Sequence, residues 1–132
     1  MYKSQTRINF YDTDPGGVLF YGNLFKIIHS AYEQMLESFN LTRNYFIDPD
    51  FAIPIIRTNA DYFHPMRIGD LIDINISVTQ LKSCSFELTY EMMKGELLLA
   101  EAKTVHLFVK KERFEKTELP DDLKKSLEAL TS

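Results

Sequence analysis

Tyr11-Asp12-Thr13-Asp14-Pro15-Gly16-Gly17-Val18-Leu19-Phe20-Tyr21-Gly22-Asn23 joins two different periodicities in this chain. Before it, residues 3–11 alternate, with Ser4, Thr6, Ile8 and Phe10 on one face and Gln5, Arg7, Asn9 and Tyr11 on the other. That spacing predicts a strand with one moderately apolar side, ended by Pro15-Gly16-Gly17. After it, from about Tyr21 to Phe39, Leu24, Ile27, Ile28, Ala31, Met35 and Phe39 recur at three- and four-residue steps, which predicts a long helix. Tyr32 and Leu36 widen the apolar stripe, so this helix should be well buried. Two carboxylates on a constrained turn, aimed at the start of a buried helix, make this stretch the first candidate for chemistry.

Working outward, residues 40–52 read as a loop, with Asp48-Pro49-Asp50 as its strongest turn signal. Ile53–Phe63, Leu71–Leu81, Phe86–Met93 and Leu97–Val109 read as four strands at hairpin spacing, and Lys110–Lys116 as a charged tail. Ile72, Ile74, Ile76 and Val78, then Phe86, Leu88, Tyr90 and Met92, are the inward sets of two of them. Leu123, Leu127 and Leu130 mark a short final helix. The predicted order is strand, long helix, four strands, short helix. Sequential hairpins make the sheet mainly antiparallel, so an α+β fold is expected and a doubly wound one is not.

A chain of 132 residues predicts a single domain spanning 1–132, and a hydrophobic content of 45% predicts a globular one. The net charge of −4 argues against nucleic acid as a partner. No stretch approaches membrane-spanning length and the N-terminus has no apolar signal core, so no membrane partner is expected. The lone cysteine, Cys84, forms no intrachain disulfide, which fits a cytoplasmic location. No histidine has partners at metal-ligand spacing, so no metal is expected.

Asp12 to Asn23, followed by Ala31-Tyr32-Glu33, resembles the 4-hydroxybenzoyl-CoA thioesterase-like family, and Tyr62-Phe63-His64-Pro65-Met66-Arg67-Ile68-Gly69-Asp70 looks like its second recurrent segment. The resemblance covers roughly Thr6 to Val109. It implies a hotdog fold, in which an antiparallel sheet of about five strands wraps one long central helix. A narrower likeness, in Phe51-Ala52-Ile53-Pro54-Ile55, the spacing to Asp61-Tyr62-Phe63, and Val78-Thr79-Gln80, is to the branch hydrolysing 1,4-dihydroxy-2-naphthoyl-CoA. The implied function is hydrolysis of an acyl-CoA, with coenzyme A as part of the substrate and no separate cofactor. An aromatic acyl group is favoured, since Phe20, Tyr21, Tyr32, Tyr62 and Phe63 can supply its wall. A non-catalytic acyl-CoA-binding hotdog module and a hotdog hydroxyacyl-CoA dehydratase are the alternatives.

The resemblance makes Asp14 the carboxylate that attacks the thioester or activates water. The bland alternative is an aspartate that caps its turn. Gly16 and Gly17 permit positive φ and close approach of a ligand, as they would in any tight turn. The backbone N–H near Tyr21 is implied as oxyanion donor, which suits the unpaired amides of a helix N-terminus. Asp12 reads as structural, and Glu33 as a minor second carboxylate. His64 could line the acyl or pantetheine pocket; His29 and His106 read as incidental. In the family the coenzyme lies between subunits. Lys82, Lys110, Lys111 and Arg113 are the cations that could hold its phosphates, with Ser83 and Ser85 as donors. Unpaired sheet edges predict a homo-oligomer, a dimer or tetramer.

Overall fold

The inward residues of three long strands build the core. In Leu71–Leu81 (β4), Ser85–Lys94 (β5) and Leu97–Leu107 (β6), alternate side chains are buried, including Ile72, Ile74 and Ile76, then Phe86, Leu88 and Tyr90, then Ala100 and Ala102. This computed structural model describes residues 1–131. The other elements are Tyr2–Arg7 (β1), Asn23–Ser38 (α1), Phe51–Ala52 (β2), Ile55–Tyr62 (β3), Val109–Lys110 (β7), Glu115–Lys116 (β8) and Asp121–Glu128 (α2). The main sheet is antiparallel in the order β1-β4-β5-β6-β3, and β2, β7 and β8 form a small second sheet.

Four sequence expectations need correction. The first strand ends at Arg7, because the Asp12 carboxylate accepts the Asn9 N–H (2.8 Å) and bends residues 10–12 into a 3₁₀ turn. The strand expected from Ile53 begins only at Ile55: Pro54 has no N–H to give, and its carbonyl accepts the Leu107 N–H (3.0 Å). That strand also forms no hairpin with the next. β3 pairs with β6 at the far edge of the sheet, and β4 takes β1 instead. The region expected to be loop and charged tail is partly paired, through Phe51↔Lys110 and Val109↔Lys116.

Helix α1 buries Leu24, Ile28, Ala31, Tyr32, Met35 and Leu36 against the core side of the sheet. Each large side chain so buried contributes roughly 1.5–3 kcal/mol. Packing therefore holds this helix, since its N-cap, Gly22, has no side chain to cap it. At the C-terminus, α2 buries Leu123 and Leu127, and the chain after it covers β4 where β1 has run out, with Val78 N–H donating to Leu130 O (3.0 Å). β3 remains the outer edge on the other side, with Ile55, Ile56 and Tyr62 exposed.

Candidate active site

The loop from Asp12 to Gly22 is shaped by its own main chain. Asp14 N–H donates to Val18 O (2.9 Å) and Gly17 N–H to Asp14 O (2.9 Å), closing a turn whose Gly17 takes φ +81°. A side chain there would be strained by the left-handed conformation. The Asp14 carboxylate accepts the Gly16 N–H through Oδ1 (2.8 Å). This is the capping role that the bland reading expects. Only one oxygen is used for it: Oδ2 has no hydrogen-bond partner among the described residues. A Cβ on Gly16 would lie 3.1 Å from Asp14 Oδ1, so the bare glycine leaves the carboxylate its place.

Asp12 serves the loop rather than the cleft. Its carboxylate caps the 3₁₀ turn, and its carbonyl accepts Phe20 N–H (2.9 Å) and Asn23 Nδ2 (3.0 Å). Phe20 O accepts Asn23 N–H (2.9 Å), which fixes the peptide plane that carries the Tyr21 amide. Because that peptide is planar and trans, the Tyr21 N–H points opposite to the Phe20 carbonyl, out of the first turn. No acceptor takes it among the described residues. The following peptide is pinned as well: Tyr62 Oη, from the end of β3, donates to Tyr21 O (2.6 Å). Burial, then the neighbouring Tyr21, raises the Tyr62 hydroxyl above its ordinary pKa, so it stays protonated and donating.

The second recurrent segment docks on this loop. Leu19 N–H donates to Met66 O (2.8 Å), and Val18 bridges Arg67. The junction leaves a cavity of about 320 Å³ lined by Val18, Leu19, Tyr62, Phe63, His64, Pro65 and Met66. Asp14, Gly17, Tyr21 and His64 thus share one end of the molecule.

The predicted phosphate-binding residues lie at the other end. Lys82, Ser83 and Ser85 form the β4–β5 turn, with Lys82 N–H on Ser85 O (2.8 Å). Cys84 O accepts the Phe108 N–H (2.8 Å), which sets this turn beside the strand carrying Lys110. The Lys111 ammonium donates to the Asp48 carbonyl, so its charge is already engaged in the small sheet. His64 N–H binds Leu99 O, near the start of β6, whereas the lysine end follows Leu107. At about 3.3 Å per residue the two ends are separated by roughly 26 Å. One protomer does not bring the two groups together.

Between the ends runs a groove of about 630 Å³, walled by α1 (Phe25, Ile28, His29, Glu33) and β3 (Ile55, Thr58), with Tyr90 and Thr104 also lining it. Thr104 Oγ1 lies 2.9 Å from Tyr90 Oη and 2.7 Å from His106 Nε2. His106 is fully buried, with its ring centroid 4.7 Å from that of Phe86 and 4.5 Å from that of Tyr32. Burial, then the nearby His29, pushes the imidazole down to about 3, so it is neutral at neutral pH. Sequence reasoning gave His106 no role. The available signal was Thr104 and His106 at inward positions of a strand otherwise filled by alanine and leucine.

A five-stranded antiparallel sheet with one long helix on its core side, and a helix N-terminus meeting a carboxylate turn, define a hotdog-fold protein of the thioesterase class. The chain belongs to the Thioesterase-like superfamily, whose family model matches residues 8–127. It is 34% identical over 122 residues to a 1,4-dihydroxy-2-naphthoyl-CoA hydrolase of Nostoc punctiforme, covering 92% of this chain and 82% of the relative. It is similar to a crystal structure of a 1,4-dihydroxy-2-naphthoyl-CoA thioesterase from Synechocystis, with TM-score 0.90, 30% identity and coverage of 98% and 96% of the two chains. The structure of a gentisyl-coenzyme A thioesterase shares the fold, with TM-score 0.85, 23% identity and coverage of 96% of this chain and 99% of the other.

Proposed function

We propose that this protein hydrolyses an aroyl-CoA, with 1,4-dihydroxy-2-naphthoyl-CoA as the favoured substrate, to the free acid and coenzyme A. The observation that carries the reading is the near full-length similarity to a hydrolase of that thioester. The site geometry supports it. Among the described residues, one Asp14 carboxylate oxygen has no partner and the Tyr21 amide has no acceptor, on a loop held by its own hydrogen bonds. With the thioester oxygen on the Tyr21 N–H, charge developing on that oxygen is stabilised by a donor that need not reorganise. Asp14 either takes a proton from water as hydroxide adds to the carbonyl carbon, or adds itself and forms an anhydride that water then opens. In both, the C–S bond breaks and the departing thiolate recovers a proton. Coenzyme A belongs to the substrate, and the step uses no further cofactor.

The proposed working form is at least a dimer, with α1 as the central helix around which each sheet curls. Two copies pairing antiparallel along β3 would be related by a two-fold axis passing between the two β3 strands. The Tyr62 end of β3 lies at the Asp14 loop, and the Ile55 end lies beside His106 and Leu107. Such pairing sets the lysine end of one copy against the Asp14 end of the other, so each complete site draws on both. The test is release of free thiol by the full chain across aromatic, short and long acyl-CoAs. The expected result is the highest kcat/KM for 1,4-dihydroxy-2-naphthoyl-CoA. Tight coenzyme A binding with no thiol release from any of them would favour the non-catalytic module instead.

A further inference from the structure

The polar chain at the α1–β3 groove has a direction. His106 is neutral and carries one ring N–H, yet its Nδ1 has no partner among the described residues. Leaving a bare nitrogen acceptor buried costs less than leaving a buried N–H without an acceptor, since orphaned donors are the rarer case in folded proteins. The proton therefore belongs on Nε2, which donates to Thr104 Oγ1. Thr104 then gives its own hydroxyl hydrogen to Tyr90 Oη, and the Tyr90 hydrogen is left for the groove that Tyr90 lines. A groove whose wall also carries His29, Glu33 and Thr58 thus presents an oriented hydroxyl donor at Tyr90. The groove lies between α1, which begins two residues after Tyr21, and β3, which ends at Tyr62, so an acyl group held at the Tyr21 amide can extend into it.

We infer that the α1–β3 groove receives an aromatic acyl group bearing a ring oxygen, and that the Tyr90 hydroxyl, oriented by Thr104 and His106, reads that oxygen. The inference rests on the hydrolase reading for where the acyl group enters, and it adds the groups that select the ring. A ring without the oxygen would leave the donor unpaired, which is how a buried polar group discriminates.

Equilibrium binding of two free acids, 1-hydroxy-2-naphthoate and 2-naphthoate, tests this without requiring turnover. The wild-type protein is expected to bind the hydroxylated acid about tenfold or more tightly, and Tyr90→Phe to bring the ratio near one. Thr104→Val should lower the ratio several-fold and Thr104→Ser should keep it, so the pair decides the matter if Tyr90→Phe does not fold. Asp14→Asn should keep the ratio while losing hydrolysis, which separates failure of the binding inference from failure of the hydrolase reading. Equal affinities in the wild type, no binding of either acid, or a preference that survives both Tyr90→Phe and Thr104→Val would overturn it.

Discussion

The Asp14 loop and the α1–β3 groove are built by opposite means. The loop takes its shape from main-chain hydrogen bonds within a dozen residues, with Asp12 and Asn23 as ties and Gly17 at positive φ. The groove is made of side chains from α1, β3, β5 and β6, brought together only by the finished sheet. The first arrangement suits a reaction whose oxyanion donor is a backbone amide and therefore does not depend on side-chain identity. The second suits selection among acyl groups, where exchanging one side chain changes the shape or the polarity of a wall. The difference separates catalysis from specificity, and substitutions should respect that division.

The largest effect is expected at the loop. Asp14→Asn should lower kcat by about 10²–10⁴-fold, with little change in thermal stability because an asparagine oxygen still accepts the Gly16 N–H. Steady-state kinetics beside a melting curve would check both halves. Next comes the separation of the two ends of the protomer. Mixing Asp14→Asn with a Lys82→Glu/Lys110→Glu variant, each nearly inactive alone, should restore about a quarter of wild-type activity, because half of randomly paired dimers then carry one intact site. No recovery on mixing would place both ends in one chain's site and break the comparison. Tyr62→Phe sharpens it from the β3 end that meets the loop: losing the hydroxyl that pins Tyr21 O should cost about tenfold in kcat and little in KM.

The smallest effect concerns stability and pH. His106 has a folded pKa of about 3, well below the ordinary histidine value of about 6.5, so the unfolded chain binds the proton first. Stability is therefore lost as pH falls below about 6.5, by at most about 1.4 kcal/mol per pH unit, or about 2 kcal/mol by pH 5. The lowered carboxylates, Asp70 held down by Lys94 and Asp122 by Thr42, lose their contributions only at more acidic pH. Urea unfolding of the wild type and His106→Phe at pH 6.5 and 5 should show a smaller loss in the variant. An equal loss would assign the pH dependence elsewhere.

Much of this was readable in the sequence for a physical reason. Periodicity marks a helix whose stripe runs through Leu24, Ile28, Ala31 and Met35, and strands whose inward sets are Ile72–Val78 and Phe86–Met92, because burial imposes it. The Asp14 turn was readable because proline and glycine constrain the backbone locally. Strand partners were not: nothing local in residues 55–62 says that they pair with β6 rather than with β4, since pairing depends on long-range closure of the sheet. The Tyr90–Thr104–His106 chain was hidden for the same reason, being a contact across strands. Lys111 illustrates a third limit. Its charge is visible in the sequence, but not that the Asp48 carbonyl occupies it.

The central claim is that Asp14 and the Tyr21 amide converge on one carbonyl group. A crystal structure with a non-hydrolysable thioether or ketone analogue of 1,4-dihydroxy-2-naphthoyl-CoA tests it most directly. The expected geometry places an Asp14 carboxylate oxygen about 3–3.5 Å from the carbonyl carbon, or one water away, and Tyr21 N about 2.7–3.1 Å from the position of the carbonyl oxygen. A bound analogue whose carbonyl lies away from the Tyr21 amide, with Asp14 facing only the Gly16 N–H, would contradict it.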